Sequence, residues 1–554
     1  MSRPEHQTAD EMIRARLGDT NVGVLFEDRR YSWDEHTRAS ATRAALALDL
    51  RRSGPFHIGF LMENIPELTF WLGAGAVGGA TMVGINPTRQ GSELATDIRH
   101  TECQLIVTES ALLPLLSGLD IGIGCDRILV VDDPCYAEQC RPYESVGFPD
   151  SDVPGDATEF LLFTSGTSGA PKAAIVTQRR IARYGRTLSE GQGLDATSVC
   201  YQAMPMFHSN ALFAGWSPAV YAGASMALRR RFSASGFIDD VRKFRATFFN
   251  YVGKPLSYIL ATPARPDDRV HTLQRVLGNE GTELDLRRFT ERFGVPVVDN
   301  YGSTEGGVTV MRQPDQPKGV LGRPPDGVFV VDSATGEPCP IAQLDADGRL
   351  LNAEECIGEI VNKNGGASFE GYYKNEEAEA LRTRNRWYWS ADLGYVDTDG
   401  WLHFAGRDYD WLRVDGENFA AAPVECIIGR FPGVVLVAVY AVPASDVGDE
   451  VMVALQLEPD LRFDAARFDE LLDEQRDLGV KWSPRYVRIT AELPVTHTSK
   501  ILKRQLRAER WECADKVLWR PTRGQPLRAI SREDIEAIRR EFASHDRAGQ
   551  LDTH

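Results

Sequence analysis

Residues 160–176 read FLLFTSGTSGAPKAAIV: an apolar run, a segment rich in glycine and hydroxyl groups, and a second apolar run. Gly166 and Gly169 let the backbone fold back so that successive N–H groups point into one concavity, and Lys172 adds a positive charge. Hydroxyl donors come from Thr164, Ser165, Thr167 and Ser168. A flexible linker would have a similar composition, but we do not expect a linker between two buried strands. The stretch therefore predicts a phosphate-binding loop that follows a core strand.

On both sides of this loop, the chain alternates between apolar, strand-like runs and helical segments. The predicted strands are residues 57–62, 104–107, 127–131, 198–203, 224–228, 247–251 and 296–299. This alternation predicts an α/β fold with mostly parallel sheets that are flanked by helices.

The pattern changes towards the C-terminus. Short strands and turns between about residues 319 and 407 predict a β-rich subdomain, and a new strand and helix pattern begins near residue 421. We therefore predict a large N-terminal domain over residues 1–407, a small mobile α+β domain over residues 408–520, and a helical tail over residues 521–554.

Composition excludes some classes of function. The net charge of −17 argues against nucleic acid as a partner, because a surface that follows phosphates needs an excess of Lys and Arg. The nine cysteines form no CxxC pair, which favours reduced thiols and a cytoplasmic location. The charged residues 1–19 lack the apolar stretch of a signal peptide. We leave open peripheral contact with a membrane, and we expect any oligomer to be a dimer.

The longest apolar run, residues 70–85, is short for a bilayer span and contains five glycines. We therefore expect it to form a buried helix that leads into a core strand.

A second motif, NYGSTEG at residues 300–306, occurs later in the same chain as the predicted phosphate loop. Together the two motifs resemble those of the adenylate-forming superfamily, which includes acyl-CoA synthetases, luciferases and the adenylation domains of peptide synthetases. The resemblance extends from about residue 20 to residue 510. It implies that Tyr301 stacks on adenine, that Thr304 reaches phosphate and that Glu305 holds Mg²⁺. A carboxylate is the kind of hard oxygen ligand that Mg²⁺ prefers.

Two further matches extend the resemblance into the C-terminal half. In SAD and GRDYD, Asp392 and Arg407 correspond to residues that contact the ribose. In LPVTHTSK, Ser499 replaces the usual glycine, and Lys500 falls where the family has its catalytic lysine. Lys503 and Arg504 are the alternatives, with Lys503 first. Tyr409 falls at the hinge between domains, and Gly416 falls in a segment that approaches coenzyme A.

The resemblance thus implies ATP, Mg²⁺ and coenzyme A as cofactors and co-substrates. It implies catalytic roles for Lys500, Glu305 and Thr164. The nucleotide contacts that it implies are Thr164, Ser165, Gly166, Thr167, Ser168, Gly169, Lys172, Gly278, Asn279, Glu280, Asn300, Tyr301, Gly302, Thr304, Asp392, Arg407 and Lys500.

The acyl substrate is predicted to contact His208, Tyr251 and Gly302. Residues 248–260 (FFNYVGKPLSYIL), GNEG at 278–281 and GENFAAAPVE at 416–425 resemble the fatty acid transport protein and very-long-chain acyl-CoA synthetase branch. Residues 250–252 contain no Asp that could pair with the ammonium group of an amino acid. The sequence therefore predicts activation of a long or bulky hydrophobic acid, a fatty acid or a steroid side-chain acid, and its transfer to coenzyme A. Transfer to a carrier protein and an inactive lipid-binding homologue are the alternatives.

Replacement of Lys500 by Ala tests the predicted division of labour between the two half-reactions. Loss of its charge should slow acyl-adenylate formation by on the order of a hundredfold or more. Thioester formation from supplied acyl-adenylate should persist. Equal losses in the two half-reactions, each assayed separately, would move the role to another residue, with Lys503→Ala as the next variant.

Overall fold

The structure is a computed structural model, and every structural statement below concerns the residues that it describes. These are residues 5–150, 152–164, 171–313, 316–317, 319–345, 350–407, 411–414, 417–446, 448–459, 461–475, 478–479, 481–495, 501–545 and 547–551.

The helices of this part of the chain are α1 Ala9–Arg14, α2 Trp33–Asp49, α3 Pro66–Gly78, α4 Gly91–His100, α5 Pro134–Cys140, α6 Gln178–Gly191, α7 Ser217–Ala222, α8 Phe237–Phe244, α9 Pro255–Leu260, α10 Glu283–Phe293, α11 Ala353–Cys356, α12 Glu376–Arg382, α13 Ala421–Ile428, α14 Ala465–Glu474, α15 Lys503–Glu509 and α16 Arg532–Ser544.

The strands are β1 Val22–Phe26, β2 Arg29–Ser32, β3 His57–Leu61, β4 Thr81–Gly84, β5 Leu105–Thr108, β6 Ile128–Val130, β7 Thr158–Phe163, β8 Ala173–Thr177, β9 Val199–Gln202, β10 Ser225–Leu228, β11 Phe248–Val252, β12 Arg275–Asn279, β13 Val297–Asp299, β14 Tyr301–Gly302, β15 Thr309–Val310, β16 Val328–Val331, β17 Gly358–Asn362, β18 Tyr388–Val396, β19 Leu402–Arg407, β20 Trp411–Val414, β21 Glu417–Ala420, β22 Val434–Pro443, β23 Asp449–Leu457, β24 Tyr486–Thr490, β25 Lys516–Trp519 and β26 Arg528–Ala529.

The chain divides into two compact units. Unit 1 comprises Met1–Gly281, Leu286–Gly306 and Ala367–Leu381, and unit 2 comprises Thr282–Asp285, Gly307–Gly366 and Arg382–His554. The sequence pattern did not separate residues 367–381 from the β-rich segment around them. The domain boundaries near residues 407 and 520 stay predictions.

Unit 1 is built on two sheets. One has the strand order β6-β5-β3-β4-β7-β8 and the other has the order β13-β12-β11-β9-β10-β1-β2. All neighbouring strands are parallel except the hairpins β7–β8 and β1–β2, each of which lies at the edge of its sheet. The predicted α/β class with mostly parallel sheets is therefore confirmed, and each strand predicted above is present within two residues of its bounds.

Helices α2 and α3 pack closely because one side of α3 carries small residues. A Cβ atom at Gly73 would collide with the Ser40 hydroxyl, so glycine permits this approach of the two helices. Residues 70–85 form the buried end of α3 followed by β4, as the sequence predicted. Among the described residues, no helix has both the length and the apolar character needed to cross a bilayer.

Unit 2 contains an antiparallel sheet of order β16-β17-β18-β19 and a five-stranded sheet of order β22-β23-β24-β25-β26. The polar tail contains α16, whose Ile538 and Phe542 are buried. Ser531 caps α16 through a hydrogen bond from the Asp534 N–H group, at 3.2 Å. The predicted tail helix is thus present and has an apolar side. All nine cysteines are free thiols.

His36 makes the stability of unit 1 depend on pH. Its imidazole is fully buried against the rings of Trp33 and Phe70, with centroids 5.2 and 5.4 Å away, and burial lowers its pKa from 6.5 to about 4. Below pH 6.5 the unfolded chain therefore binds a proton that the folded chain does not, and the free energy of unfolding falls until about pH 4.

We predict that the stability difference between the wild type and His36→Gln changes by about 2 kcal/mol between about pH 7 and pH 5, to the disadvantage of the wild type. Urea denaturation followed by tryptophan fluorescence measures it. The matched control is His545→Gln, which replaces an exposed imidazole and leaves the buried one in place. A difference for His36→Gln that does not vary with pH would contradict the prediction.

Candidate functional site

The two ends of the predicted phosphate loop meet at the end of a hairpin. Strands β7 and β8 are antiparallel with Phe163 opposite Ala173, and the Thr164 N–H group donates to the Lys172 carbonyl at 3.0 Å. The loop therefore begins and ends at one point, beyond the carboxyl end of β7. The predicted contacts inside it lie outside the described residues: Ser165, Gly166, Thr167, Ser168 and Gly169.

Most of the other predicted residues of unit 1 follow neighbouring parallel strands. Strands β9, β11, β12 and β13 are adjacent, so their carboxyl ends meet at one edge of the sheet. Ligands of open α/β sheets bind outside such an edge. The residues that the structure brings to it are His208, Tyr251, Gly278, Asn279, Glu280, Asn300, Tyr301 and Gly302.

A chain of side-chain amides ties these strand ends together. The Asn210 amide group donates to the Tyr251 carbonyl at 3.0 Å and to the Asn279 side-chain oxygen at 3.2 Å. Asn250 donates to the side-chain oxygen of Asn210 at 2.9 Å. Asn279 in turn donates to the backbone carbonyl of Asn300 at 2.5 Å. The network fixes the segment after β9 against the start of the NYGSTEG motif.

Tyr251 explains the glycines of the GNEG segment. Its hydroxyl donates to Asp299, which also accepts the Gly281 N–H group at 2.8 Å. A Cβ atom at Gly278 would collide with the Tyr251 ring, so glycine permits this close approach. The Tyr251 side chain is fully buried and packs against Gly278 and Gly281, so it supports this edge of the sheet from the protein interior. Its contact with a substrate stays a prediction.

Thr304 and Glu305 are each held by a neighbouring hydroxyl. The hydroxyls of Ser209 and Thr304 share a hydrogen bond of 2.7 Å, and the Tyr372 hydroxyl donates to the Glu305 carboxylate at 2.7 Å. Glu305 is only 6% exposed. Arg180 donates to the Thr304 carbonyl at 2.5 Å. The turn of residues 303–306 is therefore fixed through both its side chains and its backbone.

Residues 370–373, which include Glu370 and Tyr372, run along β8. The Ile175 N–H group donates to the Gly371 carbonyl at 3.0 Å, and Tyr372 forms an antiparallel bridge with Ala174. The Glu370 carboxylate accepts the Thr177 N–H group at 2.9 Å and the Thr177 hydroxyl at 2.6 Å. The strand that follows the phosphate loop, β8, is thus joined to the segment whose Tyr372 holds Glu305.

His208 is half-buried at the same edge. Its imidazole Nδ1 accepts the Asn210 backbone N–H group at 3.3 Å, and its backbone N–H group donates to the Pro205 carbonyl at 3.0 Å. The π-helix Ala211–Trp216, whose residues are all buried, follows directly. His208 therefore lies between the polar edge of the sheet and the buried π-helix, which we call the apolar wall.

In unit 2, Asp392 and Arg407 are cross-strand partners on β18 and β19. Ala391 has a φ of +57°, a conformation that costs energy for a residue with a side chain, and its N–H group donates to Glu359 at 2.7 Å. The Asp392 N–H group donates to the Ser390 hydroxyl at 3.0 Å. The two residues predicted to contact ribose are thus brought to opposite positions on adjacent strands.

Lys500, Tyr409 and Gly416 lie outside the described residues. Lys503, the alternative to Lys500, forms an ion pair with Glu425 at 2.9 Å. Glu425 also accepts the Val439 N–H group at 2.8 Å, so the pair belongs to the packing of unit 2. This favours Lys500 over Lys503 as the catalytic cation, and the role of Lys500 stays a prediction.

Sequence reasoning missed five residues of the site: Arg180, Ser209, Asn210, Glu370 and Tyr372. Ser209 and Asn210 directly follow the predicted His208, so their proximity was the available signal. Arg180 carried no signal, because an arginine near the start of a polar helix is usually exposed.

A scan against protein-family models matches residues 13–373 to the AMP-binding enzyme family. The chain belongs to this family. The resemblance drawn from the two motifs is therefore confirmed, and the chain is an AMP-binding enzyme.

Curated relatives match almost the whole chain. The steroid-22-oyl-CoA synthetase of Rhodococcus jostii is 48% identical over 547 residues, which cover 98% of each chain. The medium/long-chain-fatty-acid–CoA ligase FadD17 of Mycobacterium tuberculosis is 46% identical over 93% of this chain and 99% of its own. Human long-chain fatty acid transport protein 5 is 28% identical over 86% of this chain and 73% of its own.

Solved structures agree on the fold. The anthranilate CoA ligase AuaEII superposes with a TM-score of 0.79 at 20% identity, covering 91% of this chain and 98% of its own. The benzoate CoA ligase of Burkholderia xenovorans gives a TM-score of 0.78 at 19% identity, covering 91% and 100%. These neighbours confirm the predicted fold class.

The variant Gly278→Ala tests the packing beneath the site. The added methyl group should displace the Tyr251 ring, with a loss of about 1–3 kcal/mol in stability and of roughly tenfold in ATP affinity. Thermal unfolding and isothermal titration calorimetry measure the two effects.

Tyr251→Val should recover much of this loss in the double variant, because it removes the colliding ring. The control is Gly147→Ala, where an added Cβ meets nothing within 4 Å. Equal losses for Gly278→Ala with and without Tyr251→Val would contradict the explanation.

Proposed function

We propose that this protein activates a bulky hydrophobic carboxylic acid as its acyl-adenylate and transfers the acyl group to coenzyme A. The observation that carries the proposal is the 48% identity to a steroid-22-oyl-CoA synthetase over 98% of both chains. A steroid side-chain acid is the proposed substrate class. A medium- or long-chain fatty acid is the second candidate, because FadD17 is nearly as similar.

The residues present suit MgATP. Mg²⁺ in nucleotide sites usually takes one or two carboxylates and completes its shell with phosphate oxygens and water. Glu305 supplies one buried carboxylate with its orientation fixed by Tyr372, and the described residues contain no cluster of three or more His, Cys, Asp or Glu that could hold a metal. Bound there, Mg²⁺ would neutralise charge on the phosphates.

In the first half-reaction, a carboxylate oxygen of the acid attacks the α-phosphorus of ATP, and the bond to the pyrophosphate oxygen breaks. The chain needs to position the reactants and offset negative charge, and no side-chain nucleophile is required. The loop between Thr164 and Lys172 is proposed to supply N–H groups and a cation, and Thr304 is proposed to supply a hydroxyl. Lys500 is proposed to approach the α-phosphate.

In the second half-reaction, the sulfur of coenzyme A attacks the acyl carbonyl carbon, and AMP leaves with the electrons of the acyl–oxygen bond. The thiol proton passes to solvent. We propose that the domain that begins near Tyr409 rotates between the two steps, which withdraws Lys500 and brings the Gly416 segment to the site.

The acyl group is proposed to lie beyond His208, against the π-helix Ala211–Trp216. The side chains of Leu212, Phe213 and Trp216 are buried there, and burial of apolar area favours a hydrophobic acid by about 25 cal/mol per Å². A cytoplasmic location, peripheral contact with a membrane and a homodimer remain predictions of the sequence.

Pyrophosphate release across acids of graded bulk tests the substrate class. We expect kcat/KM for a steroid-22-oic acid, octanoate or palmitate to exceed that for acetate or benzoate by roughly a hundredfold, since each buried methylene adds about 0.8 kcal/mol. Higher values for acetate or benzoate would overturn this class.

The same reactions with added coenzyme A, resolved by HPLC, identify the acceptor. A thioester supports the proposal. Pyrophosphate release without a thioester would point to a carrier protein as acceptor, and no release with any acid would indicate an inactive homologue.

A further inference from the structure

Arg180 carries a guanidinium into the interior of unit 1, next to the turn that contains Thr304 and Glu305. Its side chain is only 1% exposed. One terminal nitrogen donates to the Thr304 carbonyl at 2.5 Å, and the other donates to the carbonyl of Ile175 in β8 at 3.4 Å. A single side chain thus joins the strand after the phosphate loop to the turn that presents Glu305.

The turn is shaped to receive this group. Gly306 has a φ of +74°, in the region that favours glycine, and a Cβ atom there would collide with the Arg180 guanidinium. Any larger residue at position 306 would push Arg180 away from the Thr304 carbonyl. The close approach therefore depends on both residues.

Glu370 holds the guanidinium from a second direction. The two groups form an ion pair of 3.6 Å. The same carboxylate accepts both the N–H group and the hydroxyl of Thr177, the N-cap residue of α6, where a negative charge is favoured by the helix dipole. Because Glu370 is fixed independently by Thr177, it can fix Arg180.

Two aromatic rings complete the surroundings. The guanidinium carbon lies 5.4 Å from the ring centre of Phe213 and 5.7 Å from that of Tyr184, and these rings stack with centres 4.4 Å apart. Phe213 belongs to the π-helix that follows His208. Arg180 therefore contacts the apolar wall as well as the polar turn.

Packing alone gives little reason for a charge at this position. Removing a charged group such as this guanidinium from water is costly before its contacts are counted, and apolar replacements of buried ion pairs are often neutral or stabilising. The contacts instead converge on residues 304–306, where Ser209 fixes one side chain and Tyr372 fixes the next.

We propose that Arg180 is a positioning residue for adenylation: with Glu370, it holds the backbone of residues 304–306 so that the Thr304 hydroxyl and the Glu305 carboxylate meet the phosphates and metal of MgATP. The proposal rests on the proposed function. The group acts through Thr304 and Glu305 and does not touch the reacting atoms.

The test compares Arg180→Gln and Arg180→Lys with the matched control Arg183→Gln, at an exposed position of the same helix. For each purified protein we would measure pyrophosphate formation, its dependence on Mg²⁺ concentration, and thioester formation from supplied acyl-adenylate. Calorimetric titration with MgATP in the absence of acid provides a readout that does not depend on the acyl substrate.

We expect Arg180→Gln to slow pyrophosphate formation and to raise the Mg²⁺ concentration for half-maximal rate, each by about tenfold to a hundredfold. Thioester formation should stay within about threefold of the wild type. Arg180→Lys should recover part of the loss, since an ammonium can still donate to the Thr304 carbonyl. Arg183→Gln should match the wild type.

A merely structural role would lower both half-reactions equally and leave the Mg²⁺ dependence unchanged, and this result would overturn the proposal. Unchanged adenylation in Arg180→Gln would overturn it as well. Should Arg180→Gln not fold, the Mg²⁺ dependence of Arg180→Lys decides between the two roles. If the wild type releases no pyrophosphate with any acid, the proposed function fails, and MgATP titration of the variants still tests Arg180.

Discussion

Parallel pairing of β9, β11, β12 and β13 is the constraint on which the candidate site depends. Parallel strands end at the same edge, so residues from distant parts of the chain meet there without any local pattern bringing them together. The backbone groups at such an edge also need hydrogen-bond partners. Asn210 and Asn279 supply them by bridging neighbouring strand ends, so that one set of amides satisfies the backbone and fixes the geometry of the site.

The same sheet arrangement allows distant segments of unit 1 to hold Thr304 and Glu305. A reaction between a carboxylate and a triphosphate requires positive groups and oriented dipoles that are in place before the reactants arrive. Thr304 and Glu305, which are proposed to meet the phosphates and Mg²⁺, are held by contacts from three separate segments: Arg180 at the backbone, and Ser209 and Tyr372 at the side chains. Each contact restricts the conformational freedom that the turn of residues 303–306 would have if it were exposed to solvent.

Close backbone approaches account for several glycines whose role was not evident from the motifs. At Gly278 the ring of Tyr251 occupies the space of a side chain, and at Gly306 the guanidinium of Arg180 does so. At Gly73 the limit is set by Ser40 on a neighbouring helix. In all three positions the glycine is required by a neighbour that is distant in sequence, and not only by the local turn.

The sequence by itself determined the order of strands and helices, the burial of residues 70–85, and the places in the chain of the predicted phosphate loop and the NYGSTEG motif. These features depend on periodicity and backbone conformation within a few residues, which is the range over which a sequence can be read directly. Only the tertiary structure decided which groups hold the motifs in place. Arg180, Ser209 and Tyr372 lie on three separate segments, and their contacts with residues 304–306 exist because of the sheet order and the return of residues 370–373 along β8. Glu370, on the same returning segment as Tyr372, acts through its ion pair with Arg180. No local pattern encodes such contacts, since they arise from packing between segments far apart in the chain.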